Sequence, residues 1–238
     1  MNLSGVVRPN GMLRLRVVRG VPRERLTLSS MLYWSMPHLG VCKEVRWWRL
    51  RNALRILNQL WRLQLMKIAS AISGHSFIYG ALWIARIDGL TGQKTFYGLA
   101  SLRVVTNVGR DEIVDEFDAA TAADFDLTSL KFHGIGTGIV AEAATDTALG
   151  IELTTEYNPD NTRATGTQSQ PTSDVYRTVG TNTLDSGTPA ITEHGIFSQA
   201  ATGGGTLLDR SVFAAINLNG ANGDGLQTTY NLTIASGG

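Results

Sequence analysis

A mainly β fold is expected for this 238-residue chain: an antiparallel β-sandwich or jelly-roll-like body with an extended N-terminal arm and one amphipathic helix. Three observations lead there. From Lys67 onward Thr and Gly dominate, and short β-branched or aromatic runs alternate with Gly-, Pro- and Asn-rich punctuation, which is how many short strands joined by turns read. Over residues 43–66 the apolar spacing becomes three and four, the helical period. Charge divides at the same place, with 12 Lys/Arg against 2 Asp/Glu before Lys67 and 9 against 18 from it onward. The formal net charge of +1 is therefore the sum of a part at +10 and a part at −9. The expected organisation is a basic arm and helix over residues 1–66, then an acidic Thr/Gly-rich β domain over 67–238 that folds without the arm.

The arm contains only Glu24 and Glu44 as acids, and Pro9-Asn10-Gly11, Gly20-Val21-Pro22 and Met36-Pro37 punctuate it too often for a long helix. Acid-poor Arg/Leu/Trp sequence of this kind also results from translation upstream of a true start, and Met66 is an available one. In the helix, Trp47, Leu50, Leu54, Leu57, Trp61 and Leu65 fall on one face, with Arg46, Arg49, Arg51, Arg55 and Arg62 around the remainder. Trp48, Ile56, Leu60 and Leu63 broaden the apolar sector. A helix of this composition wants a partner, and the candidate partner-binding residues are Arg46, Trp47, Trp48, Leu50, Arg51, Leu54, Arg55, Leu57 and Trp61. Arg beside Trp suits nucleic acid, an anionic membrane or an acidic protein surface alike, so charge alone does not select.

Strand-like runs Phe77–Ile87 and 95–106 flank the turn residues 88–93, which predicts a hairpin with a longer loop. Residues 109–118 read as a short surface helix, with Ile113, Val114 and Phe117 opposite Asp111, Glu112, Asp115, Glu116 and Asp118. Later strands are expected at 162–168, Val175–Leu184, 191–199, 211–218 and 226–235. In the last, Tyr230, Leu232 and Ile234 alternate with Thr229, Asn231 and Thr233, which predicts one buried and one wet face.

Several chemistries find no support in the pattern. The single Cys42 makes neither an intramolecular disulfide nor a multi-cysteine zinc site. The longest apolar stretch, residues 68–85, is broken by Ser70, Ser73, Gly74, His75, Ser76 and Gly80 and makes a poor bilayer span. Arginines through residues 1–25 spoil a signal peptide, so a non-secreted chain is the default. The run His133-Gly134-Ile135-Gly136-Thr137-Gly138 lacks the sixth-position glycine and the following helix of a dinucleotide fingerprint, and is expected to be a strand-to-loop turn. Gly203-Gly204-Gly205 lacks the lysine of a phosphate loop and is expected to be a flexible turn. Asn217, Asn219, Asn222 and Asp224 offer oxygens to calcium but too few carboxylates, so a hairpin tip is preferred. Glu193 and His194 are strand neighbours that point apart, which weakens an acid–base pair with each other or with Ser198. No catalytic, metal or cofactor-binding residues are assigned.

Beyond these readings, the segments YGLASLRVVT (97–106), IVD (113–115), KFHGIGTG (131–138), TTEYNPDNTRATG (154–166), AITEHGIFS (190–198), LLDRSVFAAIN (207–217) and YNLT (230–233) resemble a family of tailed-bacteriophage virion structural proteins. The resemblance covers most of the chain from Met66 on. It implies a non-enzymatic part of the particle without a cofactor or small-molecule substrate, made in the host cytoplasm and carried on the capsid surface. The leading expectation is a capsid decoration, or cement, protein that binds the major capsid protein, as a homotrimer or homodimer, with nucleic acid disfavoured and no membrane span. Alternatives are a tail-associated or fibre-base adaptor and a host-surface carbohydrate-binding β domain. Trp83 alone among the Trp residues lies outside the arm, which disfavours a sugar-stacking face.

Overall fold

The computed structural model describes residues 3–7, 13–17, 43–103, 105–116 and 126–235. Two antiparallel sheets form the body. The larger runs β4 (Lys94–Arg103), β3 (Phe77–Ile87), β12 (Gly225–Ala235), β9 (Val175–Leu184), β6 (Tyr157–Asn158), with β8 (Thr167–Thr172) also paired to β9. The smaller runs β11 (Leu207–Asn217), β10 (Ala190–Phe197), β5 (Phe132–Gly136), β7 (Ala164–Thr165). Leu82, Ile84, Leu184, Leu226 and Tyr230 of the first sheet and Ile135, Ile191, Ile196, Phe213 and Ile216 of the second share one buried core, so the fold is mainly β, as expected. In the arm, β1 (Leu3–Val7) pairs antiparallel with β2 (Leu13–Val17); the rest of residues 1–42 lies outside the described residues.

The expected β3–β4 hairpin forms. The Asp88 carboxylate accepts from the Thr91 amide and hydroxyl, and the Asp88 amide donates to the Gln93 carbonyl, which closes the loop. The short acidic helix α2 runs over Asn107–Asp115, capped by the Thr106 hydroxyl, which accepts from the Gly109 amide at 3.1 Å. Ile113 packs on the core while Val114 is exposed; Phe117 and Asp118 lie outside the described residues.

Two expectations need correction. Residues 217–225 do not form a hairpin tip, because β11 and β12 belong to different sheets and the segment arches between them. Short Asn/Gly loops serve hairpins and arches equally; here a Cβ on Gly220 would run into the Ser186 backbone, so close approach makes the glycine obligatory. The expected wet face of β12 is also covered. Asn231 accepts from the Arg177 side chain and Thr233 hydrogen-bonds Tyr79, whereas Ile234 points outward.

The helix, α1, runs over Lys43–Ser73, seven residues beyond its expected end, so the proposed 66/67 boundary falls inside it. It lies along the edges of both sheets. Val45 and Trp48 join the main core, and Ile56, Leu60 and Leu63 pack on Tyr79, Ala81 and Leu102. Between these, a buried polar row meets edge-strand backbone. On β4, Arg49 Nε donates to the Tyr97 carbonyl (2.9 Å), Asn52 Nδ2 to the Ala100 carbonyl (2.8 Å), and Gln59 Oε1 accepts from the Leu102 amide (2.9 Å). On β11, Trp48 Nε1 donates to the Ala214 carbonyl (2.6 Å) and Asn52 Oδ1 accepts from the Ala214 amide (3.3 Å). Unpaired edges template aggregation, and α1 closes both. Helix and β body are therefore packed together through a shared core.

Replacing Asn52 or Gln59 by Leu should lower the urea unfolding free energy by about 1–3 kcal/mol, because buried amides and carbonyls lose their partners. Leu54→Ala on the opposite face should stay within about 0.5 kcal/mol. Similar losses at Leu54 and Asn52 would show that the polar row does not seal the edges.

Candidate functional site

Helical geometry puts residues three and four apart on one face, and the row sealing the strands occupies the face opposite the expected partner-binding stripe. Trp47 (52% exposed), Leu50, Leu54 (80%), Leu57 and Trp61 (65%) all face outward. Leu65 continues the line to the expected end of the helix, and Ile68 and Ile72 (83%) extend it into the last turns of α1, where Ser70 and Ser73 obscure the period in the sequence. Arg46, Arg51 and Arg62 flank the stripe and are exposed. The structure thus brings seven of the nine candidate residues to one surface.

The other two face the body. Trp48 is buried against the Tyr97 ring, edge-on at 5.2 Å between centroids, because its indole N–H is spent on β11. Arg55 bends inward to the Glu142 carboxylate and the Val212 carbonyl, both at 3.1 Å. Both side chains are therefore engaged by the body rather than turned out along the stripe.

The polar clusters inside the body hold it together. Gly134, Gly136 and Gly138 do bring backbone close to anionic oxygen, but the oxygen is the chain's own. Glu193, fully buried, accepts from the amides of Gly138 (2.8 Å), Gly150 (2.9 Å) and Ile151 (2.7 Å) and pairs with Arg210 at 2.8 Å. Arg210 also meets Asp146 at 2.9 Å, and Glu193 and Asp146 together hold its guanidinium charged, raising its pKa against the cost of burial. A parallel pair, Arg163 with Glu152, anchors the glycine turn: Arg163 Nη1 donates to the Gly204 carbonyl at 2.8 Å. That turn is tied down rather than loose. In the arch, the Asp224 carboxylate accepts from the Gly89 and Asn219 amides and from Arg86, which leaves its oxygens to N–H donors rather than to calcium.

Strand alternation separates Glu193 from His194 as expected. His194 turns between the sheets, where its Nε2 lies 3.0 Å from Nδ1 of His133; His133 also contacts the Thr228 and Thr178 hydroxyls at 2.7 and 3.0 Å. Ser198 is elsewhere, accepting from the Thr206 amide. Burial pushes His133 down to about 3, and burial together with His133 pushes His194 well below the ordinary imidazole range. Both rings are inaccessible to a solute.

An open groove of about 700 Å³ lies between β8, β9 and β12. Its one aromatic side chain, Tyr176, donates its hydroxyl to the Leu130 carbonyl, and Asp174 is its one carboxylate, short of the pair that glycoside hydrolysis requires. Among the described residues no three His, Cys, Asp or Glu side chains gather to hold a metal, and no helix is long and apolar enough to cross a membrane. By fold and surface the chain is a two-sheet β protein bearing an outward apolar helix face. Compared with known proteins, it matches no family model, no curated protein and no solved structure.

The histidine pair makes a pH prediction. Both rings are neutral when folded and protonate near pH 6.5 when unfolded, so the unfolded state binds more protons below that pH. Stability should fall as pH drops from about 6.5 towards 3, by up to about 1.4 kcal/mol per unit for each ring. Urea titrations at pH 7, 5.5 and 4.5 read the slope, and His133→Asn should flatten it. An unchanged slope in that variant would remove the histidines as its cause.

Proposed function

We propose that this chain is a non-enzymatic virion structural protein that attaches to the particle by the outward face of α1, and that it serves as a capsid decoration protein bound to the major capsid protein. The observation that carries the attachment is the inversion of α1: Arg49, Asn52 and Gln59 are buried while eight large apolar side chains from Trp47 to Ile72 face solvent. A monomer gains edge closure from the buried polar row but nothing from the exposed apolar stripe. Burying a Leu, Ile or Trp side chain is worth about 1.5–3 kcal/mol, and contiguous exposed apolar surface marks an interaction site. The virion and capsid assignments rest on the sequence resemblance, and copies arranged as trimers or dimers about shell axes would add avidity.

An asymmetric reconstruction of the virion should place this chain over capsomers, with α1 against the shell. Density only at the tail or portal vertex would replace decoration by tail attachment. Leu54→Glu and Trp61→Glu chains should fold with melting temperatures within a few degrees of the parent, because both side chains are exposed. They should nevertheless be missing from purified particles. Full occupancy of both variants would overturn attachment through α1.

A further inference from the structure

We infer that the occupant of the α1 face is an acidic amphipathic helix of another protein, laid along the stripe from Trp47 to Ile72; this deepens the attachment proposed above and rests on it. The first support is spacing. Trp47, Leu50, Leu54, Leu57, Trp61, Leu65, Ile68 and Ile72 are separated by alternating threes and fours, with one extra four between Trp61 and Leu65. That insertion restores an average step of about 3.6 residues, so the stripe follows a straight helix instead of winding around it. At 3.6 residues per turn all eight fall within roughly a quarter-turn. Such a narrow seam suits knobs-into-holes contact with one helix.

A lipid surface fits the face poorly. An interfacial helix sinks a broad apolar face into the headgroup boundary. Here Asn58 and Gln64 border the seam, as do the exposed Arg51 and Arg62, while the far side of α1 is fixed to the sandwich.

Charge selects the partner's sign. Glu44 is the sole acid on α1, and it stands in the first turn; Arg46, Arg51 and Arg62 are exposed along the seam. Packing α1 on α1 of a second copy would set arginine flanks against arginine flanks in either orientation. The acidic helix of a second copy is too short: α2 has 9 residues, about 14 Å, against about 46 Å for the 31 residues of α1. A partner with glutamates or aspartates beside its own apolar seam meets both requirements, and Arg51 and Arg62 would pair with them at the rim.

The test uses the full chain. With Cys42→Ser and Leu54→Cys together, a maleimide should label residue 54 at the rate of an exposed thiol; protection in the monomer would overturn the proposal by showing the chain covering its own stripe. The binding probe is a peptide of about four heptads with leucine at the seam positions and glutamate at the flanks, compared with its lysine twin. The glutamate peptide should bind roughly tenfold or more tighter than the twin, and weaken as salt rises from about 0.05 to 0.5 M. Arg51→Glu with Arg62→Glu should reverse the preference, while Leu54→Glu should abolish binding of both peptides. Three outcomes would overturn an acidic helical partner: equal binding of the two peptides, tighter binding to vesicles of phosphatidylcholine with phosphatidylglycerol than to the glutamate peptide, or a dimer of the parent chain that Leu54→Glu dissolves. Each would leave attachment through α1 to be read separately from the particles.

Discussion

Two edge strands, β4 of the larger sheet and β11 of the smaller, run close together at one side of the sandwich, and their backbone groups have to be satisfied by something other than a further strand. The row Trp48, Arg49, Asn52, Arg55 and Gln59 on α1 does this with side-chain donors and acceptors. Asn52 is the hinge of the arrangement, because its amide gives its N–H to Ala100 on β4 and its oxygen to Ala214 on β11. A buried backbone group without a partner costs about as much as the hydrogen bond it lacks, so closing the sandwich with polar side chains stabilises more than an apolar face would. The register of the helix follows, and so does the outward direction of the stripe from Trp47 to Ile72.

Inside the sandwich the same demand is met at shorter range. Glycines along β5 leave room for Glu193 to lie against the backbone of the 138–151 loop, and a Cβ at Gly136 or Gly138 would collide with its carboxylate. Arg210 then neutralises the charge. Buried ion pairs contribute little net stability, but removing one partner strands a charge. Such pairs fix which loop lies on which strand. His133 and His194 play the neutral version of this role, joining β5 and β10 to Thr178 on β9 and Thr228 on β12 across the two sheets.

Where local chemistry decides structure, the sequence was readable. β3 and β9 end where Gly, Asp and Pro stand, and their bounds match the expected ones to the residue. The period of α1 declared a helix, and the stripe from Trp47 to Trp61 was visible as a surface needing a partner. How the helix meets the body was not visible: α1 packs through a second, mixed face in which Val45, Trp48, Ile56, Leu60 and Leu63, residues that in the sequence only broaden the apolar sector, are interleaved with Asn52 and Gln59. Polar residues recurring at positions 49, 52, 55 and 59 were the available signal. The Glu193–Arg210 pair and the β11–β12 arch were hidden for another reason: both depend on which sheet a strand joins, a long-range choice that strand composition does not encode.

The two faces of α1 constrain each other. A helix held only by apolar contacts can roll or slide by a residue, but one held by directed bonds from Arg49, Asn52 and Gln59 to particular backbone atoms cannot do so without leaving amides and carbonyls unpaired. The outer stripe is thereby presented as a rigid, straight row, and a partner need not supply the free energy of ordering it. Preorganisation of this kind converts buried area into affinity with little conformational cost. The polar inner face is what allows the apolar outer one to remain exposed and yet fixed, so edge closure and docking are two consequences of one helix orientation.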